Sequence, residues 1–498
     1  MTSRVDSAVN WSLALASAVL LVLLFPGYNF TWLAPLSLTP LLVACARERR
    51  WRARFAFGYG CGIVYWCGAC NWIQWTLAHH AGMSGAAAWL VFALFCLAKG
   101  IQTGVFTALA ARLQPPVVAA LWVVIEWTHA YTWFEWLNLG NAGGDMSLLL
   151  RLAPFTGVWG LSFAFALMSA VIAAVILRRQ RFASAWLLVL PGLYLLPDLP
   201  EPQRGERAAI LVQPNIDDET LWSPELQSRM EEQLSRLSVS PLLGKVRSAD
   251  IIVWPEMPGP FYDNDPRFVA MVSATAKAAH AAVLTGAVGR AADRSPLNSA
   301  MLVGADGAVV SRYDKVNLVP FGEFVPWPLG TLTQKISTEA GDFIPGNRVV
   351  VSPVGGNRIG AFICYESVFP GYVRKFAASG AEVLFNISND SWFGRSQARY
   401  QHLRIVRMRA AENHRWIVRA TNDGVSAVID PAGRLVRTAP EFQEVTARMQ
   451  YSYRQDLTVY TRFGDWFVAL CALIAAGGMA IPLLRRHNAG DLPSVPPR

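Results

Sequence analysis

Gly360-Ala361-Phe362-Ile363-Cys364-Tyr365-Glu366-Ser367 is a short apolar run that ends on a thiol with polar neighbours. Read outward from the cysteine, it is a buried strand whose last residue reaches a sheet edge. The chain has seven cysteines, and Cys45, Cys61, Cys67, Cys70, Cys96 and Cys471 lie in or beside long hydrophobic stretches. Cys364 alone belongs to the polar stretch between Pro200 and Trp466. A thiol in that setting is a candidate nucleophile, and a buried inert cysteine is the plainer alternative.

The polar stretch repeats the strand pattern. Runs rich in Val, Ile, Leu or Ala predict strands at Ala208–Gln213, Asp250–Trp254, Ala281–Gly286, Ser299–Val303, Val309–Tyr313, Arg358–Ile363, Glu382–Ile387, Trp416–Ala420 and Ser426–Ile429. Gly304-Ala305-Asp306-Gly307 and Asp430-Pro431-Ala432-Gly433 read as hairpin turns. Helices are expected to begin at Ser223-Pro224-Glu225 and Asp265-Pro266, each a capping residue followed by proline at the first helical position. A third helix is expected over Tyr400–Asn413, with Leu403, Val406 and Ala410 at helical spacing. Strands alternating with helices predict an α/β layered domain.

Two further strand ends carry chemistry. Val253-Trp254-Pro255-Glu256 places a carboxylate past one strand, and Ser311-Arg312-Tyr313-Asp314-Lys315 places an ammonium past another. The chain uses six lysines against thirty-eight arginines, so a lysine there suggests a compact donor. A thiol, a carboxylate and an ammonium form a working set. The carboxylate takes the thiol proton, the thiolate attacks a carbonyl, and the ammonium stabilises the oxyanion. A Cys–His pair is the competing arrangement, with His402 and His414 as candidates. No Cys/His/Asp cluster has metal-ligand spacing, so no metal is expected.

Composition adds a second compartment. Hydrophobic residues make up 53% and charged residues 16% of 498, and mean hydropathy is +0.29, which points to a membrane protein. Hydrophobic segments lie at Ala8–Phe25, Phe30–Cys45, Phe55–Leu77, Gly85–Leu109, Val117–Trp133, Thr156–Leu177, Ala183–Leu196 and Trp466–Leu484. Arg47, Arg49, Arg50, Arg52, Arg54, Arg112, Arg178, Arg179, Arg181, Arg485 and Arg486 fall in alternate loops, and the other loops hold only Arg151. Eight spans with cytoplasmic termini follow from the positive-inside rule, and the polar domain then lies outside the cytoplasm. In that oxidising compartment Cys364 has no cysteine partner in its own domain, so no structural disulfide is expected. The net charge of +9 includes clusters beside hydrophobic runs and forms no nucleic-acid motif, so no nucleic-acid partner is expected. Lys99 and Glu126 fall inside spans, where a structural ion pair or a snorkelling lysine is expected.

The motifs narrow this further. Trp254-Pro255-Glu256, Tyr313-Asp314-Lys315, the run Leu318-Val319-Pro320-Phe321-Gly322-Glu323-Phe324-Val325-Pro326, Cys364-Tyr365-Glu366, Asn389-Asp390-Ser391-Trp392-Phe393-Gly394 and Arg419-Ala420-Thr421-Asn422-Asp423-Gly424 resemble the apolipoprotein N-acyltransferase family, within the nitrilase superfamily of carbon–nitrogen hydrolases. The resemblance covers nearly the whole chain. It implies a nitrilase-like αββα sandwich over an eight-helix membrane bundle, with residues 1–200 as the N-terminal membrane domain. Residues 201–455 would be the periplasmic catalytic domain, and 456–498 the last span and a cytoplasmic tail. It implies a bacterial inner-membrane enzyme, monomeric and without cofactor, working in two half-steps. A thiolate takes an acyl chain from a phospholipid, and the thioester acylates the α-amine of an S-diacylglyceryl cysteine at an apolipoprotein's N-terminus, the last step of lipoprotein maturation. Cys364 would be the nucleophile, Glu256 the general base and Lys315 the oxyanion stabiliser. Glu323 would support Lys315, and Tyr365 and Glu366 would shape the nucleophile's surroundings. Trp222 and Trp136 would guard lipid access. Apolar residues near 316–344, with Trp327 as anchor, would dip into the membrane interface. Family members often carry an arginine after the motif run to meet lipid phosphate. This chain has Lys335 there and no arginine before Arg348. The alternatives are a membrane-tethered amidase or nitrilase using water as acceptor, and a non-catalytic membrane scaffold.

Overall fold

Among the described residues twelve strands build two sheets, and most follow from runs of branched residues hidden on both faces. The computed structural model describes residues 4–110, 113–132, 134–178, 183–216, 223–243, 248–324 and 343–490. Trp222, Trp327, Lys335, Arg112, Arg179 and Arg181 lie outside them. In chain order the strands are β1 (Arg207–Gln213), β2 (Ile251–Val253), β3 (Ala282–Arg290), β4 (Pro296–Val303), β5 (Val309–Asp314), β6 (Val351–Val354), β7 (Asn357–Ile363), β8 (Val383–Ser388), β9 (Ile417–Thr421), β10 (Ala427–Ile429), β11 (Leu435–Thr438) and β12 (Val445–Tyr451). One sheet has the order β12-β1-β2-β3-β4-β5 and the other β11-β10-β9-β8-β7-β6. Each has a parallel centre, β1-β2-β3 or β7-β8-β9, with antiparallel flanks.

The period-2 geometry of β1 divides its side chains between two cores. Ala209 and Leu211 face the second sheet, while Ile210 and Val212 join Met230, Leu234, Phe268 and Val272 of the outer helices. Those helices, Pro224–Val239 and Pro266–Ala279, start where the caps predict. Ser223 accepts from Leu226 N and Asp265 from Arg267 N. Helices Pro370–Ala378 and Ala398–Asn413 cover the second sheet. The result is a nitrilase-like αββα sandwich.

Helix Ala398–Asn413 is buried along nearly its whole surface because its outer side meets the apolar N-terminal helices. Gln401 accepts from Trp136 Nε1 at 2.8 Å and donates to the Ala69 carbonyl at 3.0 Å. Arg404 and Arg407 converge on Asp145, and Glu412 accepts from Val158 N at 2.9 Å. Sandwich and bundle share one hydrophobic cluster.

Among the described residues, three helices are long and apolar enough to cross a membrane: Val5–Leu23, Gly85–Ala110 and Val158–Ile176. The other apolar segments are more broken than the sequence suggested. Phe30–Cys45 becomes a 3₁₀ turn over Thr31–Leu36 and a short helix, Thr39–Arg47, with Pro35 and Pro40 as the interruptions. Phe55–Leu77 divides into Trp51–Ala69 and Trp72–His79. Ala183–Leu196 forms 3₁₀ turns on either side of Leu190, with Pro191 opening the second. Lys99 and Glu126 do not pair with each other, so the ion pair, one of the two expected arrangements, does not form. Lys99 Nζ donates to Thr132 Oγ1 at 3.0 Å and the Phe134 carbonyl at 3.1 Å, over the Trp66 ring, while Glu126 accepts from Leu139 N. Lys99 and one oxygen of Glu126 each find a polar group on the turns that follow Trp127.

Helices Trp51–Ala69 and Gly85–Ala110 approach closely through facing small residues. Gly58 on one meets Thr103 and Thr107 of the other, and Gly62 meets Gly100 and Thr103. This small-xxx-small pattern lets backbones touch where lipid supplies no hydrophobic drive. A Cβ on Gly62 would lie 2.9 Å from the Gly100 Cα. Gly62→Ala should therefore cost about 1–3 kcal/mol, read as a lowered Tm in detergent. Gly144→Ala, whose Cβ would meet nothing within 4 Å, should leave Tm unchanged.

Candidate active site

Three strand ends from two sheets deliver the polar residues to one buried place. β2 runs into Trp254, whose Nε1 donates to Ser238 Oγ at 2.8 Å, and Pro255 then turns the chain so that Glu256 faces inward. Gly286 of β3 permits this turn, since a Cβ there would lie 2.2 Å from Met257 N. β5 ends at Asp314, and Lys315 N donates to the Asn298 carbonyl at 2.8 Å. β7 ends at Ile363, leaving Cys364 on the first turn beyond it with φ +48°. That left-handed conformation is uncommon for a residue with a side chain and marks a held position.

Lys315 sits between two carboxylates. Its Nζ is 3.0 Å from Glu256 Oε1 and 2.9 Å from Glu323 Oε1, and all three side chains are buried. Asn298 donates through Nδ2 to the same two oxygens, at 2.8 and 2.6 Å. Glu323 Oε2 accepts from Val319 N at 2.7 Å, and Glu256 Oε2 from Asn389 N at 3.0 Å. Burial alone would push the Lys315 ammonium down. Glu256 and Glu323, with a smaller contribution from Cys364, override it and hold Lys315 above its usual range. It remains a cation. Burial, and then the Glu256 charge, push the Cys364 thiol up, while Lys315 pulls it down. At rest the sulfur keeps its proton, and a base must remove it.

Glu256 Oε1 already accepts from Lys315 and Asn298, whereas Oε2 accepts only from Asn389 N among the described residues. A carboxylate oxygen has two lone pairs, so Oε2 is the atom with room for a proton.

Glu366 brackets the ammonium and the thiol. Its Oε1 accepts from Tyr313 OH at 2.6 Å, Val316 N at 2.8 Å and Asn317 N at 3.2 Å, residues on both sides of Lys315. Its Oε2 accepts from Ile363 N at 2.8 Å, next to Cys364. Burial pushes its carboxyl up to about 7, against the Ile363 and Val316 amides and the Tyr313 hydroxyl. Tyr365 is buried beside Trp136, ring centroids 6.5 Å apart and nearly parallel. Trp136 is itself fully buried, among Trp72, Phe134, Phe393 and His402. It lies in the aromatic layer between the bundle and the Cys364 turn. His402, the competing base, meets the Cys364 carbonyl at 3.1 Å. His414 pairs with Asp456 at 3.1 Å. Asn298 and Asn389 are additions to the expected set. The signal for Asn298 was an amide in an apolar strand, which needs buried partners. Asn389 acts through its backbone, which no side-chain pattern reports. Among the described residues no His, Cys, Asp or Glu group could hold a metal ion.

Comparison with known proteins agrees over both parts of the chain. The carbon-nitrogen hydrolase family model matches residues 211–457, and that for the apolipoprotein N-acyltransferase N-terminal domain matches residues 17–171. The apolipoprotein N-acyltransferase of Geobacter metallireducens is 31% identical over 508 residues, covering 96% of this chain and 96% of its own. That of Azotobacter vinelandii is 33% identical, covering 97% of each. A solved carbon-nitrogen hydrolase from Helicobacter pylori G27 aligns with 56% of this chain and 94% of its own, at 17% identity and a TM-score of 0.39.

The charge arrangement sets a pH signature. A lysine raised in the folded state contributes stability that is fully present below its unfolded pKa, about 10.4, and lost as pH rises through its folded value. Wild-type stability should not change between pH 5 and 9 on account of Lys315. Lys315→Met removes the cation and leaves Glu256 and Glu323 as buried like charges, one of which must then bind a proton. The variant should lose about 3–5 kcal/mol. It should also be less stable at pH 8 than at pH 5, because a raised carboxyl contributes less as pH climbs. Thermal unfolding at both pH values checks the sign.

Proposed function

The chain belongs to the apolipoprotein N-acyltransferase family, and on that premise we propose that it moves an acyl chain from a membrane phospholipid, through a thioester on Cys364, to the α-amine of an S-diacylglyceryl cysteine at an apolipoprotein's N-terminus. The observation that carries this reading is the charged Lys315, held beside the protonated Cys364 thiol with Glu256 Oε2 open to accept a proton.

In the first half-step Glu256 Oε2 takes the thiol proton as sulfur attacks the ester carbonyl of the phospholipid. Lys315 donates to the developing oxyanion, an interaction worth roughly 3–4 kcal/mol in a dry site. The intermediate collapses by breaking the ester C–O bond, and the departing glycerol oxygen takes the proton from Glu256. Lysophospholipid leaves and the acyl chain stays on sulfur. In the second half-step the lipoprotein amine attacks the thioester, Glu256 takes the ammonium proton, and the C–S bond breaks. The thiolate recovers that proton. Glu323 keeps Lys315 charged, Glu366 fixes the distance between its loop and the nucleophile, and Tyr365 and Trp136 form the wall along which the acyl chain lies. Trp222 is proposed at the lipid entrance.

Both substrates are lipids, so the site must open at a bilayer, and the core shared by sandwich and bundle supports that placement. We place the protein in the bacterial inner membrane as a monomer with eight spans. Residues 1–200 form the membrane domain, 201–455 the periplasmic catalytic domain, and 456–498 the last span and a cytoplasmic tail. The arginine distribution supports this orientation. Segment Ala183–Leu196 turns an exposed Trp186, Leu188, Tyr194 and Leu195 outward, as a lipid-facing segment does.

Incubation with phospholipid carrying a labelled acyl chain should place a hydroxylamine-sensitive label on wild type and none on Cys364→Ala. Glu256→Gln should slow labelling by about 100-fold or more. Adding a diacylated lipopeptide with a free amine should move the label into an amide on the peptide. Labelling of Cys364→Ala equal to wild type, or release of free fatty acid alone, would rule the reading out.

A further inference from the structure

His402 is fully buried on helix Ala398–Asn413, directly behind the nucleophile. Its Nε2 is 3.1 Å from the Cys364 carbonyl oxygen and 2.7 Å from Ser367 Oγ. Its Nδ1 is 3.2 Å from Arg419 Nη2 and 3.4 Å from Asp390 Oδ1. A guanidinium can only donate, so Nδ1 presents its lone pair to Arg419 and the ring proton sits on Nε2. Asp390 is engaged elsewhere. Both its oxygens accept from Arg419, at 2.7 and 2.8 Å, and Oδ1 also accepts from Ser388 Oγ at 3.0 Å. Burial first, and then the Arg419 charge, push the His402 pKa down, which agrees with a neutral ring. Nε2–H therefore faces the Cys364 carbonyl, which can only accept, together with the nearer Ser367 Oγ.

That carbonyl belongs to the one residue here whose backbone matters most. Cys364 has φ +48°, a conformation that persists only where its surroundings impose it. Glu366 holds the amide of Ile363 on one side of the thiol, and His402 holds the Cys364 carbonyl on the other. Because the peptide is planar and trans, fixing this carbonyl also fixes the direction of the Tyr365 N–H, on the opposite side.

We infer that His402 is a positioning residue, a neutral imidazole protonated on Nε2 that holds the Cys364 backbone in its left-handed conformation while the Arg419–Asp390 pair holds the ring. This rests on the acyl-transfer reading above. His402→Ala should lower kcat and the rate of thioester formation by about 100-fold, the effect of a nucleophile misplaced by about 1 Å, with KM for phospholipid unchanged. His402→Gln, whose side-chain N–H reaches toward the same carbonyl, should recover most of that loss. A histidine that only fills space would not divide kcat from KM, nor be rescued by an amide. Wild-type kcat in His402→Ala, or no recovery in His402→Gln, overturns the inference. A second measurement needs no turnover. Nitrogen NMR of histidine-labelled wild type, with the His402 signals assigned from their loss in His402→Gln, should show the neutral Nε2–H tautomer. An imidazolium or an Nδ1–H ring overturns it. If wild-type protein forms no thioester at all, the transfer reading fails and the positioning role fails with it, while the tautomer result stands on its own.

Discussion

One ammonium held charged out of water organises this site. Lys315 has no solvent to stabilise it, so its charge depends on Glu256 and Glu323 together. A single carboxylate would neutralise it and leave no net negative charge to draw a proton from sulfur. Two carboxylates around one cation leave one formal negative charge, and Asn298 shares the load by donating to both. The sandwich serves this arrangement. Glu256, Lys315 and Asn298 come from one sheet, while the Asn389 amide and Cys364 come from the other. The gap between the sheets therefore sets the distance between Glu256 and Cys364, the proposed base and nucleophile, and the packing of Ala209, Leu211, Ile251 and Val253 against the second sheet sets that gap.

The second constraint lies at the seam. Helix Ala398–Asn413 packs on β9 and on the membrane bundle, and its arginines are neutralised by acids from both sides. The same helix carries His402 toward Cys364 and Gln401 toward Trp136. The aromatic layer of Trp72, Phe134, Trp136 and Tyr365 continues from bundle to catalytic turn without a polar break. An acyl chain reaching Cys364 along this layer would stay in apolar surroundings.

Much of this was legible in the chain. The nine strands expected from apolar runs all form, because buried strands write their burial as unbroken Val, Ile and Leu. Val351–Val354, Leu435–Thr438 and Val445–Tyr451 were not anticipated, and all three are sheet edges. Edge strands tolerate what central strands cannot, here Pro353 and a wholly exposed Leu435–Thr438. Glu256, Lys315 and Cys364 stood out at strand ends and Glu323 in the motif run, and the structure brings both carboxylates within hydrogen-bond distance of Lys315. Asn298 did not stand out, Asn389 did so only as part of a motif run, and His402 only as a competing base rather than as a partner of the Cys364 carbonyl. Their contributions run through an amide between two acids, a backbone N–H and a carbonyl contact, and each depends on a partner far away in sequence. Lys99 and Glu126 invited pairing because both are charges in apolar helices. The 3₁₀ turn after Trp127 and the Leu139 amide supplied partners that no spacing rule predicts.

The crowding of Glu256 Oε1 has a consequence for the order of events. With that oxygen committed to Lys315 and Asn298, every proton in the proposed cycle would pass through Oε2, which holds one at a time. On the proposed mechanism, the proton taken from the thiol would have to leave on the lysolipid before the same oxygen could deprotonate the incoming amine. Donor and acceptor thus take turns at a single atom. One such oxygen could not activate both at once, and the acylated sulfur would then carry the record of the first lipid.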